Sequence, residues 1–136
     1  MRLLTMNSSQ AKHKRNIPWL WLAVIWAGII MFLSFIPGED LPSLSIWEAD
    51  KLAHAFVYAV LSITVINTFV QRRDEGTHWK KAIIFGLILC ILFGWCIELV
   101  QGQLLPSRTF DVYDLLANFI GCLLGVTGII FIFKPY

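Results

Sequence analysis

The chain has 136 residues, 57% hydrophobic and 15% charged, with a mean hydropathy of +0.69 and a formal net charge of +2. A soluble domain of this size would carry more apolar surface than it could bury, so the composition excludes one and requires lipid to cover the excess. No basic run with interleaved aromatics lies behind the net charge, which argues against nucleic-acid or heparin binding.

Four apolar stretches follow in order. The first, 17–36, comes after the basic segment Lys12, His13, Lys14 and Arg15 and could be read as a signal peptide. Its 20 residues exceed a normal signal core, and the exit Ser34-Phe35-Ile36-Pro37-Gly38-Glu39 lacks a small-x-small cleavage site, so a retained helix is expected. Neither terminus carries a lipidation signal. The stretches 52–70, 82–100 and 112–133 contain 19, 19 and 22 residues, enough to cross about 30 Å of hydrocarbon at roughly 1.5 Å per residue. The expectation is an all-α, four-transmembrane-helix bundle forming a single domain over 1–136.

Lys and Arg counts set the predicted orientation. Arg2, Lys12, Lys14 and Arg15 precede the first helix, Arg72, Arg73, Lys80 and Lys81 lie between the second and third, and Lys134 follows the fourth. Only Lys51 and Arg108 fall on the other side. Both termini are therefore expected in the cytoplasm, with loops 37–50 and 101–111 facing outward. Trp19, Trp21 and Trp79 on the inner side, and Trp47 and Tyr113 on the outer, suit interfacial aromatic belts. Cys90, Cys96 and Cys122 all lie within predicted helices without C-x-x-C spacing and read as small core hydrophobes.

Under this topology the unusual polar residues gather at the outward ends of helices two, three and four. Spacing of four puts Asp50, His54, Tyr58 and Ser62 on one face of the second helix. Glu98 and Gln101 neighbour each other at the end of the third. Asp111, Asp114, Asn118, Gly121, Gly125 and Gly128 follow a single stripe leading into and along the fourth, polar outside and glycine inside. Each residue has a plainer reading as well. Asp50, Asp111 and Asp114 sit where carboxylates cap helix N-termini. The glycine row reads first as a close-packing surface. Tyr58 and Ser62 suit hydrogen-bonded packing. Glu98 and Lys51 resist such readings, because an acid at a helix C-terminus and a base in a first turn both oppose the macrodipole. Glu98 also falls inside the predicted hydrocarbon boundary and must face the bundle or a wet cavity. The cations on its side are Lys51, Arg108 and a protonated His54, so some charge-paired cluster is expected.

Taken together, Ser34 and Pro37, Asp50-Lys51 with His54 and Tyr58, Glu98 and Gln101, and Arg108 with Asp111, Asp114, Asn118, Gly121 and Gly125 resemble the VanZ-like membrane proteins. That family is named after a bacterial determinant of resistance to the glycopeptide teicoplanin. The resemblance covers most of the chain, leaving out the basic tail and the Asp74-Glu75 loop, and implies a small multi-pass protein of the bacterial cytoplasmic membrane. It brings no settled mechanism. A further pattern comes from the residues themselves: Asp50-Lys51-Leu52-Ala53-His54 echoes Asp114-Leu115-Leu116-Ala117-Asn118 at the same end of two helices, as a duplicated helix pair would.

The leading functional expectation is binding or modulation at the outward face. Lys51, Arg108 and His54 would contact a headgroup, and the carboxylates and Asn118 would orient them. Ligands of the right kind are anionic membrane lipids, lipid-linked cell-wall precursors or a lipoglycopeptide; Arg108, on a loop after Pro106 and Ser107, suits bidentate phosphate or carboxylate recognition. The alternative is an enzyme acting on a lipid-anchored substrate, with His54, Glu98 and Asp114 as candidates for proton transfer and a divalent ion on Asp111, Asp114 and Glu98. No nucleophile motif supports it. Internal pairing with Lys51 and Arg108 is the expected fate of the acids, so no resident metal or cofactor is expected. A channel is disfavoured, since the third helix has no charge inward of Glu98 and the fourth shows only Thr127 below Asn118. Docking into a larger envelope complex is the remaining role for the lipid-facing surface.

Overall fold

The computed structural model describes residues 18–36, 47–71, 78–104 and 110–132. The basic tail, Pro37, the Asp74-Glu75 loop and Arg108 lie outside the described residues, as does the Trp47 side chain. Four helices run in order: α1 Trp19–Ser34, α2 Trp47–Gln71, α3 His78–Leu104 and α4 Val112–Ile132. All described secondary structure is helical, as expected.

Helix α1 is shorter than its apolar stretch. Its 16 residues rise about 24 Å, short of a typical hydrocarbon core, whereas α2, α3 and α4 are long and apolar enough to cross one. Local chemistry explains both ends. Pro18 precedes the helix and its carbonyl takes the Leu22 N–H at 3.1 Å. At the other end Phe35 and Ile36 donate to Phe32 and Leu33 at 3.2 and 3.3 Å, tightening the last turn into i→i+3 bonds. Pro37 then disfavours helical backbone at Ile36.

Contacts between helices give their directions. Moving down α2, its residues meet progressively later ones on α4: His54 with Asn118, Ala55 against Gly121, and Ser62 against Gly125. Those two helices are therefore parallel. Tyr58 lies on Gly94 and Ile66 on Gly86, so α3 is antiparallel to α2. Helix α1 meets α2 where Trp26 Nε1 donates to the Val57 carbonyl at 2.9 Å, and its end meets the end of α3 where Gln101 Nε2 donates to the Ser34 carbonyl at 2.7 Å. The C-terminal ends of α1 and α3 and the N-terminal ends of α2 and α4 thus share one side.

The parallel α2–α4 seam is the tightest among the described helices. A Cβ on Gly121 would run into the Ala55 carbonyl, and one on Gly125 into Ser62, so these glycines let two backbones touch. Gly128 departs from the packing row: nothing stands within 4 Å of its would-be Cβ. Ser62 donates across the seam to the Cys122 carbonyl at 3.2 Å. Tyr58, Leu61, Cys90, Cys122 and Ile30 form one buried cluster, and Ile66, Ile83 and Ile129 a second nearer the other end. Cys96, by contrast, is exposed.

Candidate functional site

Helix α4 begins on Asp111, whose Oδ1 accepts the Tyr113 N–H at 2.8 Å. This is the capping role open to any aspartate at that position. The other oxygen does something capping does not require: Asp111 Oδ2 accepts from Lys51 Nζ at 2.8 Å. The ammonium also pairs with Asp114 Oδ1 and approaches Asp50 Oδ2 at 3.5 Å. One lysine in the second turn of α2 is therefore held by carboxylates from both α2 and the start of α4. The Lys51 ammonium holds the Asp111 carboxyl below the usual carboxylate range, mainly through this hydrogen bond, with the Tyr113 N–H acting in the same direction.

One turn further on, His54 Nδ1 and Asn118 Oδ1 are 3.1 Å apart. An amide oxygen only accepts, so the hydrogen belongs on Nδ1. The opposite nitrogen, Nε2, faces Asp50 Oδ1 and Asp114 Oδ2, each at 3.9 Å. Asn118 is 5% exposed, and its bond to His54 joins α2 to α4 a second time.

Glu98 is 2% exposed and faces inward to the bundle, as its position in the apolar span requires. Its Oε2 accepts the Asp111 N–H at 3.4 Å. Lys51 does not reach it; that cation goes to the aspartates. No lysine or arginine among the described residues forms an ion pair with Glu98. Beneath it lies Tyr58, 2% exposed, with its ring against Gly94 and a buried hydroxyl that has no hydrogen-bond partner among the described residues. Gln101, 3% exposed, is occupied by the Ser34 carbonyl.

The fold thus brings Asp50, Lys51, His54, Asp111, Asp114 and Asn118 into one cluster, with Glu98 and Tyr58 below it. Gln101 belongs to the same end but ties α3 to α1. Ser62 is a seam residue, bonded to the Ala59 and Cys122 carbonyls. The Trp26–Val57 tie had no signal in the sequence beyond an apolar run, since an indole in a hydrophobic stretch gives no hint of its N–H partner.

Helices of membrane-crossing length closed at one end by a charged rim define a polytopic helical membrane protein. The chain belongs to the VanZ/LLP1 family, whose model matches residues 7–134. It is also similar to an uncharacterised protein of the fission yeast Schizosaccharomyces pombe, 33% identical over 98 residues, which cover 72% of this chain and 54% of the relative. The match therefore spans about half the length of that protein. No solved structure matches the chain.

Proposed function

We propose that this is a single-domain membrane protein with four spans and both termini in the cytoplasm, whose rim faces the extracytoplasmic side and binds or modulates a lipid-linked ligand. The supporting observation is Lys51 held between Asp111 and Asp114, half-buried and bridging α2 and α4. A charged cluster at the end of membrane-spanning helices is a site that a headgroup can reach. The excess of Lys and Arg on the opposite side supports the orientation, and family membership supports a VanZ-like role.

The geometry changes the parts first assigned. Lys51 is engaged by carboxylates, so it orders the rim, and headgroup contact falls to His54 and the carboxylate edge, with Arg108 kept as a further contact on its sequence position alone. Among the ligands, lipid-linked precursors and membrane lipids fit a relative found in a yeast better than a glycopeptide antibiotic does. A bacterial cytoplasmic membrane remains the proposed location, on the family's naming member. Catalysis is not part of this reading.

Native mass spectrometry of the detergent-solubilised protein with envelope lipids tests it. A specific adduct is expected with the parent chain and is lost in His54→Ala and Arg108→Ala at unchanged helical content. Equal adducts in all three proteins would sink the reading.

A further inference from the structure

Three chemically reactive groups lie in the buried core beneath the rim: the thiols of Cys90 and Cys122 and the hydroxyl of Tyr58. The register of α3 against α4 brings the two cysteines together. At the rim that register shows where Glu98 accepts the Asp111 N–H at 3.4 Å. Cys90 lies about two helical turns, roughly 12 Å, below Glu98 on α3, and Cys122 lies as far below Asp114 on the antiparallel α4. Both face the bundle interior, at 1% and 0% exposure. Their thiols meet across the α3–α4 interface in a hydrogen bond. Cys96, the third cysteine, is exposed and stands apart from them.

Tyr58 enters the same cluster from α2. Its ring lies on Gly94, one turn above Cys90, and it is near enough to both sulfurs to interact with them electrostatically. The residue is 2% exposed, and its hydroxyl has no hydrogen-bond partner among the described residues. A buried O–H without a partner is a cost that a packed core normally avoids. Thiol sulfur is only a weak acceptor for it. An oxygen carried on either sulfur would be a strong one.

We propose that Cys90 and Cys122 are a peroxide-reactive dithiol, that Tyr58 donates to the oxygen this pair gains, and that oxidation clamps α3 to α4. In the first step one sulfur attacks a hydroperoxide. The O–O bond breaks and an S–O bond forms, giving a sulfenic acid, while the other oxygen leaves with the thiol's proton as water or an alcohol. In the second step the remaining thiol attacks that sulfur. The S–O bond breaks, the S–S bond forms, and water leaves with the second thiol's proton. The two sulfurs together give up two electrons, and the hydroperoxide takes them.

Burial selects the oxidant. Ions and bulky disulfides have no route to sulfurs this enclosed, whereas hydrogen peroxide is uncharged and close to water in size. A second thiol at hand also stops the oxidation at a disulfide, which dithiols reverse, before sulfinic acid forms. This chemistry stands whether or not the rim takes a lipid.

The test uses the reduced full-length chain in lipid nanodiscs with the exposed cysteine removed as Cys96→Ser. Hydrogen peroxide is added at a dose that oxidises Cys96 in the unsubstituted chain. Intact mass spectrometry is expected to show the loss of two hydrogen atoms, and alkylation after denaturation to find no free thiol, with both reversed by dithiothreitol. Adding Cys90→Ser or Cys122→Ser leaves one thiol, which dimedone should label as the trapped sulfenic acid. Tyr58→Phe is expected to reach the same disulfide about tenfold more slowly, because a hydrogen bond to a developing oxygen anion is lost. The oxidised protein should melt at a higher temperature than the reduced one. Two thiols still open to alkylation after peroxide overturn the dithiol, and this reading needs no change in the core that could disturb folding. A Tyr58→Phe rate equal to that of the Cys96→Ser chain overturns the part given to the hydroxyl, and equal melting of the two redox forms overturns the clamp.

Discussion

The α2–α4 seam is held in two ways along one length. At the rim it is polar: Lys51 joins Asp111 and Asp114, and His54 joins Asn118. Two turns deeper it is a contact of small residues, where Gly121 and Gly125 admit the α2 backbone and Ser62 bonds to a main-chain carbonyl. The deep half relies on shape, because lipid offers helices no hydrophobic incentive to associate and close packing must supply the attraction. The rim half relies on charge, and charge gives an end that can be rearranged by a ligand. The packed half thus supports a half whose members can exchange partners.

Four substitutions and conditions test this contrast. The largest effect is expected for Gly121→Ala, because its Cβ meets main-chain atoms of Ala55 that cannot turn aside. A loss of about 3 kcal/mol is expected, read as a large drop in thermal stability in detergent; an unchanged melting temperature would refute close packing here. Next is Lys51→Ala, which leaves Asp111 and Asp114 facing each other without their cation. About 2 kcal/mol should be lost, less than for a fully buried pair, and Lys51→Arg should recover part of it in the same melt. Gly128→Ala is a smaller effect of opposite sign: nothing lies within 4 Å, so removing a mid-helix glycine should stabilise by about 0.5 kcal/mol.

The smallest effect concerns pH. Asp111 titrates below its usual range when folded because of Lys51 and the Tyr113 N–H. A group depressed in the folded state contributes stability that is fully present above its unfolded value, about 3.9, and is lost as pH falls through the lower folded value. Stability should therefore decline on acidification below about pH 4, and Asp111→Asn should flatten that part of the curve. An identical acid limb in the variant would show that Lys51 does not hold Asp111.

Much of the arrangement was legible residue by residue. Lys51 and Glu98 stand out as charges set against apolar runs, and both are partnered or enclosed; the dipole argument itself does not hold, because α2 starts at Trp47 and α3 runs to Leu104, which puts both residues beyond the terminal turns. Spacing of four placed His54 and Tyr58 on one face, and the echo between Asp50–His54 and Asp114–Asn118 corresponds to parallel helices whose matching residues meet. Three readings fell short. Apolar length overstated α1, since Pro37 and a tightened last turn end it early. Regular spacing extended the packing row to Gly128, where no helix arrives. And the count of cations on one side leaves open which acid Lys51 meets; it goes to Asp111 and Asp114.

Composition and periodicity by themselves determined that the chain is helical, that lipid covers it, and that its charged residues crowd the ends of apolar runs. These follow from transfer free energies that act on each segment independently. Only tertiary structure decided that α2 and α4 lie side by side, that Lys51 is held by aspartates and not by Glu98, and that two carboxylate oxygens and an imidazole nitrogen face one point. Those outcomes depend on which backbones approach within touching distance, and the close approach at Gly121 and Gly125 fixes the register that brings these groups together.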